Sequence, residues 1–167
     1  MLIVRLSKIA MTAGLAFWAF LVTLNNLVDY DSNWAFVQHV LVMDTTFPHT
    51  TLRSRAVTDA WLHEAAYLTI IVVEGLTCLA FLGASLAMLR KLRAPKAEFQ
   101  AAKAVTAWGI LLAFGLWFVG FMAIGAEWFA MWQSDVWNGQ SAAFRFVIII
   151  VAVGIYVFLD SDGDRSP

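Results

Sequence analysis

Residues 65–89 read AAYLTIIVVEGLTCLAFLGASLAML. About 20 apolar residues in a helix cross the hydrocarbon core of a bilayer. This run is long enough, and its one charged residue is Glu74. Lipid offers no partner to a free backbone N–H or C=O, so a continuous apolar run of this length is predicted to be a helix. The alternating pattern of a membrane barrel strand is missing from it.

Three more runs of the same kind occupy about residues 9–28, 104–126 and 142–159. The 167-residue chain is 61% hydrophobic and 14% charged, with a mean hydropathy of +0.74. A soluble domain is nearer about 45–50% apolar and about 25% charged. The expected fold class is therefore an all-α membrane protein: one domain, residues 1–167, built as a four-helix transmembrane bundle. The first run starts with Arg5 and Lys8, as a signal peptide would. No small-x-small cleavage site follows at Asn25 and Asn26, so it reads as a retained span. A net charge of −1 gives no reason to expect a nucleic-acid partner. The lone cysteine, Cys78, can form no internal disulfide and reads as a small buried apolar residue.

Lys and Arg set the orientation of short-looped membrane proteins. Arg5, Lys8, Arg90, Lys91, Arg93, Lys96, Lys103 and Arg165 fall on one side of the four spans, against Arg53, Arg55 and Arg145 on the other. The richer side is expected in the cytoplasm of a bacterial-type inner membrane, with both termini there. Its basic loop reads as a topology determinant touching lipid headgroups. The other side is expected to be periplasmic. It carries His39, His49, His63, most of the acids and the tryptophans Trp34, Trp61, Trp128, Trp132 and Trp137, whose rings suit the headgroup level.

The first periplasmic loop is long for a connection between spans. Ser32 or Asn33 can cap a helix of about ten residues. Trp34, Val37 and Leu41 then share one side, which predicts a short interfacial helix ending near Asp44 and Pro48. Thr58 can cap the entry into the second span. In the second periplasmic loop Asn138-Gly139 signals a turn before the fourth span.

A polar seam runs down the second span. With about 100° per residue, Tyr67 and Glu74 fall within roughly 40° of His63 on one helix face. Glu74 lies roughly 16 Å below His63, near the bilayer midplane. A charge there costs about 2.5–3.5 kcal/mol on insertion scales, so Glu74 is expected to be protonated or paired, with Thr23, Asn25 or Asn26 of the first span as candidate partners. The same residue could serve as a proton relay or an ion site. Arg145 can snorkel to headgroups or pair with Glu127 or Asp135. A periplasmic-side pocket could draw on Asn26, Asp29, His39, Asp44, Glu127 and Arg145. No span offers a second axial histidine, and no metal-type spacing is present, so no cofactor or metal is expected. Ala10 with Gly14, and Gly83 with Ala87, could let helices approach closely. Gly115, Gly120 and Gly125 recur every five residues, a period that drifts around an α-helix.

Two stretches carry a resemblance. The first is Asn25-Asn26-Leu27-Val28-Asp29-Tyr30-Asp31-Ser32-Asn33, with Phe36 to Val40 and Met43-Asp44-Thr45. The second is Glu127-Trp128-Phe129-Ala130-Met131-Trp132-Gln133-Ser134, with Trp137 to Gln140 and Phe144-Arg145-Phe146. Together they resemble the bacterial predicted small integral membrane proteins, domain of unknown function 2165. The resemblance spans nearly the whole chain and implies a four-span inner-membrane protein, with no activity attached. It also implies a tryptophan before Arg55-Ala56, where this chain has Ser54.

Three functional readings follow. One is a non-catalytic accessory subunit of a larger membrane complex. Another is a small proton- or ion-coupled transporter or channel using Glu74, which a single four-helix bundle would have to build as a homo-oligomer. The last is a membrane enzyme or receptor with the periplasm-facing pocket.

Overall fold

A computed structural model describes residues 2–161. Helix α1 (Leu2–Val28) is followed, after Asp29 alone, by α2 (Tyr30–Val42). A loop with one 3-10 turn, Leu52–Arg55, leads to α3 (Ala60–Arg90). The short α4 (Lys96–Ala102) runs almost directly into α5 (Ala104–Phe114), which continues as a π-helix, Gly115–Trp128. A second 3-10 turn, Met131–Gln133, precedes α6 (Gln140–Phe158). Four stretches are long and apolar enough to cross a membrane: α1, α3, the composite Lys96–Trp128, and α6. No strand occurs among the described residues. This is an all-α membrane protein.

Consecutive spans are neighbours. The bundle closes as a ring in which α1 packs along α3, α3 along α5, and α6 against both the third span and α1. Phe81, Met88, Ala113, Trp117, Ile150 and Val157 fill the interior, while Phe17, Leu79, Leu111 and Ile155 face outward, where lipid solvates them. The tightest approaches are at Gly109, where an added Cβ would stand 2.6 Å from the Phe81 ring, and at Gly154, where it would stand 2.6 Å from Ile110 Cδ1. The expected pairs Ala10–Gly14 and Gly83–Ala87 do not make such approaches. A Cβ on Gly14 or Gly83 would meet open space, because both glycines sit on the outward face.

The third span departs from the expected continuous α-helix. From Gly115 its hydrogen bonds reach five residues back, a pattern seen elsewhere mostly as single-turn bulges, often at functional sites. The last of them, Phe129 N–H to Ile124 O, is 3.0 Å long. A Cβ on Gly125 would lie 3.4 Å from Gly120 O, and one on Gly120 would lie 3.7 Å from Gly115 O. Each glycine thus sits beside the carbonyl five residues before it. The five-residue glycine period is the hydrogen-bond period of this segment.

Changing the helix type also changes the neighbour. Whereas α5 packs against α3, the π-helical half packs mainly against α6. An apolar groove of about 620 Å³ is left between α3 and the π-helical half, with Phe36, Val37, Val40 and Leu41 of α2 on its third side.

Helix α2 begins at Tyr30, before Ser32 and Asn33, which lie inside it rather than at its cap. Thr58 likewise gives way to Asp59 at the start of α3. Met43 ends α2 in the left-handed conformation, φ 57° and ψ 29°. Val37, Val40 and Met43 are buried, against Tyr67 and Ile71 on one side and Ala126, Phe129 and Ala130 on the other. The helix therefore closes one end of the bundle, here named the α2 end.

At the opposite, basic end, part of the charge expected at the lipid headgroups is internal. Arg5, Lys8 and Lys103 are buried. The last carbonyls of a helix lack intrahelical donors and carry partial negative charge. Arg5 Nη1 donates to Leu92 O at 3.0 Å and Ala94 O at 2.6 Å, just beyond α3. Lys8 Nζ donates to Leu159 O at 2.6 Å, at the end of α6. The Phe99 ring of α4 lies under Arg5 at 4.7 Å and Lys103 at 5.5 Å. Lys91–Glu98 and Lys96–Asp160 pair at the surface. Arg165 lies outside the described residues.

Candidate functional site

Glu74 is 2% exposed on the inner face of α3. Every mid-helix N–H is already used within the helix, so a carboxyl there must find side-chain donors. Asn26 of α1 supplies one: its Nδ2 donates to Glu74 Oε2 at 2.7 Å. The Tyr67 hydroxyl, one face-repeat above Glu74, donates toward Asn26 O at 2.8 Å and Asn26 Oδ1 at 3.2 Å. Holding Oδ1 in this way turns the amide so that its N–H₂ faces Glu74. The bond persists whether Glu74 is charged or neutral, because Asn26 Nδ2 can only donate.

Tyr30 stands edge-on to Tyr67 at 4.7 Å and donates its hydroxyl to Glu64 Oε1. That hydrogen bond pushes the Tyr30 phenol up to about 12, with burial and the Glu64 charge adding to it. Tyr30 is accordingly neutral at physiological pH. His63, also buried, turns away from the seam: its Nε2 lies 2.8 Å from Val57 O, and Nδ1 has no hydrogen-bond partner among the described residues.

Glu74, Asn26 and Tyr67 line a cavity of about 230 Å³ that runs up to Asn33 of α2 and Gly139 at the start of α6. Phe36, Trp117, Phe121 and Phe146 form much of its wall. Trp117 and Phe146 meet edge to face at 5.9 Å, and both contact Trp18 at 4.7 Å behind them. Among the described residues, no Lys, Arg or His lines the cavity.

Of the six residues read as a second pocket, only Asn26 reaches this cavity. Asp29 is exposed at the junction of α1 and α2, and Glu127 is exposed near the end of the π-helix. Arg145 is exposed too: Ala143 and Val147 point inward, and a residue about 200° around the helix from each points away. His39 and Asp44 do pair with each other, Nδ1 to Oδ2 at 2.7 Å, and the His39 ring stacks on Trp137 at 4.7 Å. Among the described residues, no three of His, Cys, Asp and Glu come together as metal ligands.

The family of predicted small integral membrane proteins, DUF2165, has a model that matches residues 4–160. The chain belongs to that family. No curated protein and no solved structure matches it.

The two stretches that carry the family resemblance meet in space at the α2 end. Thr45 Oγ1 donates to Ser134 Oγ at 2.8 Å, and the Phe47 N–H donates to Gln133 Oε1 at 3.1 Å. A Cβ on Gly139 would come within 3.1 Å of the Phe36 ring and 3.3 Å of the Phe121 ring, so this position keeps the two loops in register. Arg55, which the sequence marked only as a basic residue and by the family resemblance, ties the first loop to the end of the π-helix. Its Nη1 donates to Trp128 O at 3.1 Å and its guanidinium lies 4.7 Å over the Trp128 ring.

Proposed function

We propose that this small integral membrane protein is a non-catalytic subunit of a larger membrane assembly, with its basic end in the cytoplasm of a bacterial-type inner membrane. The apolar groove beside the π-helix supports the docking role. Its volume, about 620 Å³, falls in the range of about 300–1,000 Å³ typical of binding sites. Among the described residues, Thr69 is the only lining residue with a polar side chain, and its hydroxyl is turned back onto Ala65 O at 2.7 Å. Gly115 and Gly120 leave backbone open to close approach, which is how helices associate in lipid. A transmembrane helix of a partner fits such a surface. The test is purification in mild detergent followed by mass spectrometry. A larger membrane protein should co-purify in fixed ratio and be lost on Gly120→Leu. Recovery of this chain alone, or a partner indifferent to Gly120→Leu, would refute the reading. For orientation, a reporter active only outside the cytoplasm should stay silent when fused after Pro167.

A second reading, a proton- or cation-coupled carrier, is favoured by one feature: among the described residues no cation of the chain faces Glu74. A carboxylate at that depth then needs a proton or an incoming cation. In reconstituted vesicles, Glu74→Gln should abolish flux without loss of folded protein. Equal flux in the variant would end this reading.

A further inference from the structure

We propose that the cavity between Glu74 and Gly139 binds a small organic monocation, a protonated or quaternary amine. Three features of the cavity select this class. The first is charge. Among the described residues, Glu74 is the only acid lining it, no basic side chain accompanies it, and its only side-chain partner is the Asn26 amide. The second is the wall. Tyr67, Trp117, Phe121, Phe146 and Phe36 present aromatic carbon around the carboxyl, and ring faces attract cations that have been taken out of water. Hard divalent ions want about six to eight oxygen ligands. The cavity offers few, since Asn26 Oδ1 is engaged by Tyr67. An amine needs only one carboxylate and the rings. The third is size. About 230 Å³ is below the range of drug-sized sites but holds several water volumes of about 30 Å³, which suits a compact head.

Entry is from the α2 end. Gly139 has no side chain where a Cβ would crowd Phe36 and Phe121, both of which line the cavity. A larger residue there displaces those rings or fills the passage, while Glu74 and Asn26 stay untouched.

The inference rests on the second reading for the accessibility of Glu74, but it concerns binding alone. The experiment is equilibrium binding of radiolabelled choline to the purified full chain in detergent. The control is the uncharged alcohol in which carbon replaces choline's nitrogen. Saturable one-to-one binding of choline is expected, with the neutral alcohol at least about tenfold weaker. Glu74→Gln, which keeps an acceptor for Asn26, should weaken choline binding by a similar factor. Gly139→Leu should weaken it too, in the fraction that remains folded, since the crowding of Phe36 and Phe121 also lowers the unfolding temperature. No choline binding, equal binding of the neutral alcohol, or full binding by Glu74→Gln would overturn the proposal. If choline binds and no flux depends on Glu74, the carrier reading falls and the site stands. If flux depends on Glu74 and choline does not bind, the site falls and the carrier reading stands.

Discussion

At the basic end, Arg5 and Lys8 are 8% and 0% exposed, yet each reaches backbone oxygens at hydrogen-bond distance. Toward the α2 end, Glu74 is 2% exposed and has one amide and an aromatic cavity. The contrast comes from the helix itself. Span ends expose carbonyls that lack intrahelical donors, so a buried cation there meets ready-made acceptors. Mid-span N–H groups are all in use, so a buried acid must be met by side chains or by something from outside. A cation at a span end can be purely structural, while an acid in mid-span keeps spare capacity.

Replacing Arg5 by Met should have the largest effect. It removes two charge-assisted bonds and strands the Leu92 and Ala94 carbonyls, a loss of about 3 kcal/mol in denaturant unfolding of the detergent-solubilised protein. A cost below that of the Glu74 variants would break the contrast between the ends. Glu74→Leu should come next, at about 1–3 kcal/mol in the same assay, because it leaves the Asn26 amide buried and unpaired. Glu74→Gln should cost less than about 1 kcal/mol, since an amide oxygen still accepts from Asn26. If Gln and Leu cost the same, the Asn26 bond is not what holds Glu74. Gly14→Ala, on the outward face, should move stability by no more than about 0.5 kcal/mol and serves as the baseline.

The spans, their helical character and the placing of Tyr67 and Glu74 on one face could be read from apolar run length and 100° geometry alone. The identity of Glu74's partner could not. Thr23, Asn25 and Asn26 were equally eligible, and only the rotation of α1 against α3 selects Asn26. His63 shares the face but lies where the Val57 carbonyl competes for its ring. Sequence distance puts Arg145 near the acids, while its helix face turns it away from the bundle interior and its cavity. The burial of Arg5 and Lys103 was hidden because a count of basic residues contains no depth. The π-helix did leave a trace in Gly115, Gly120 and Gly125, whose five-residue period has no meaning on an α-helix and an immediate one where bonds reach five residues back.

The unequal spans bear on where such a protein can live. Helix α6 has 19 residues, roughly 28 Å of rise, whereas the 27 residues of α1 give roughly 40 Å. A hydrocarbon layer of about 30 Å is matched by the apolar part of α1, whose first turns with Arg5 and Lys8 stand beyond it, and is slightly too thick for α6. The long helices relieve their excess by tilting or by standing proud of the headgroups. A short one is accommodated by local thinning of the bilayer, by snorkelling side chains or by association, at a fraction of a kcal/mol per Å. A short α6 is expected to favour thin bilayers, so the reconstituted protein should unfold less readily in lipids of shorter acyl chains than in longer ones.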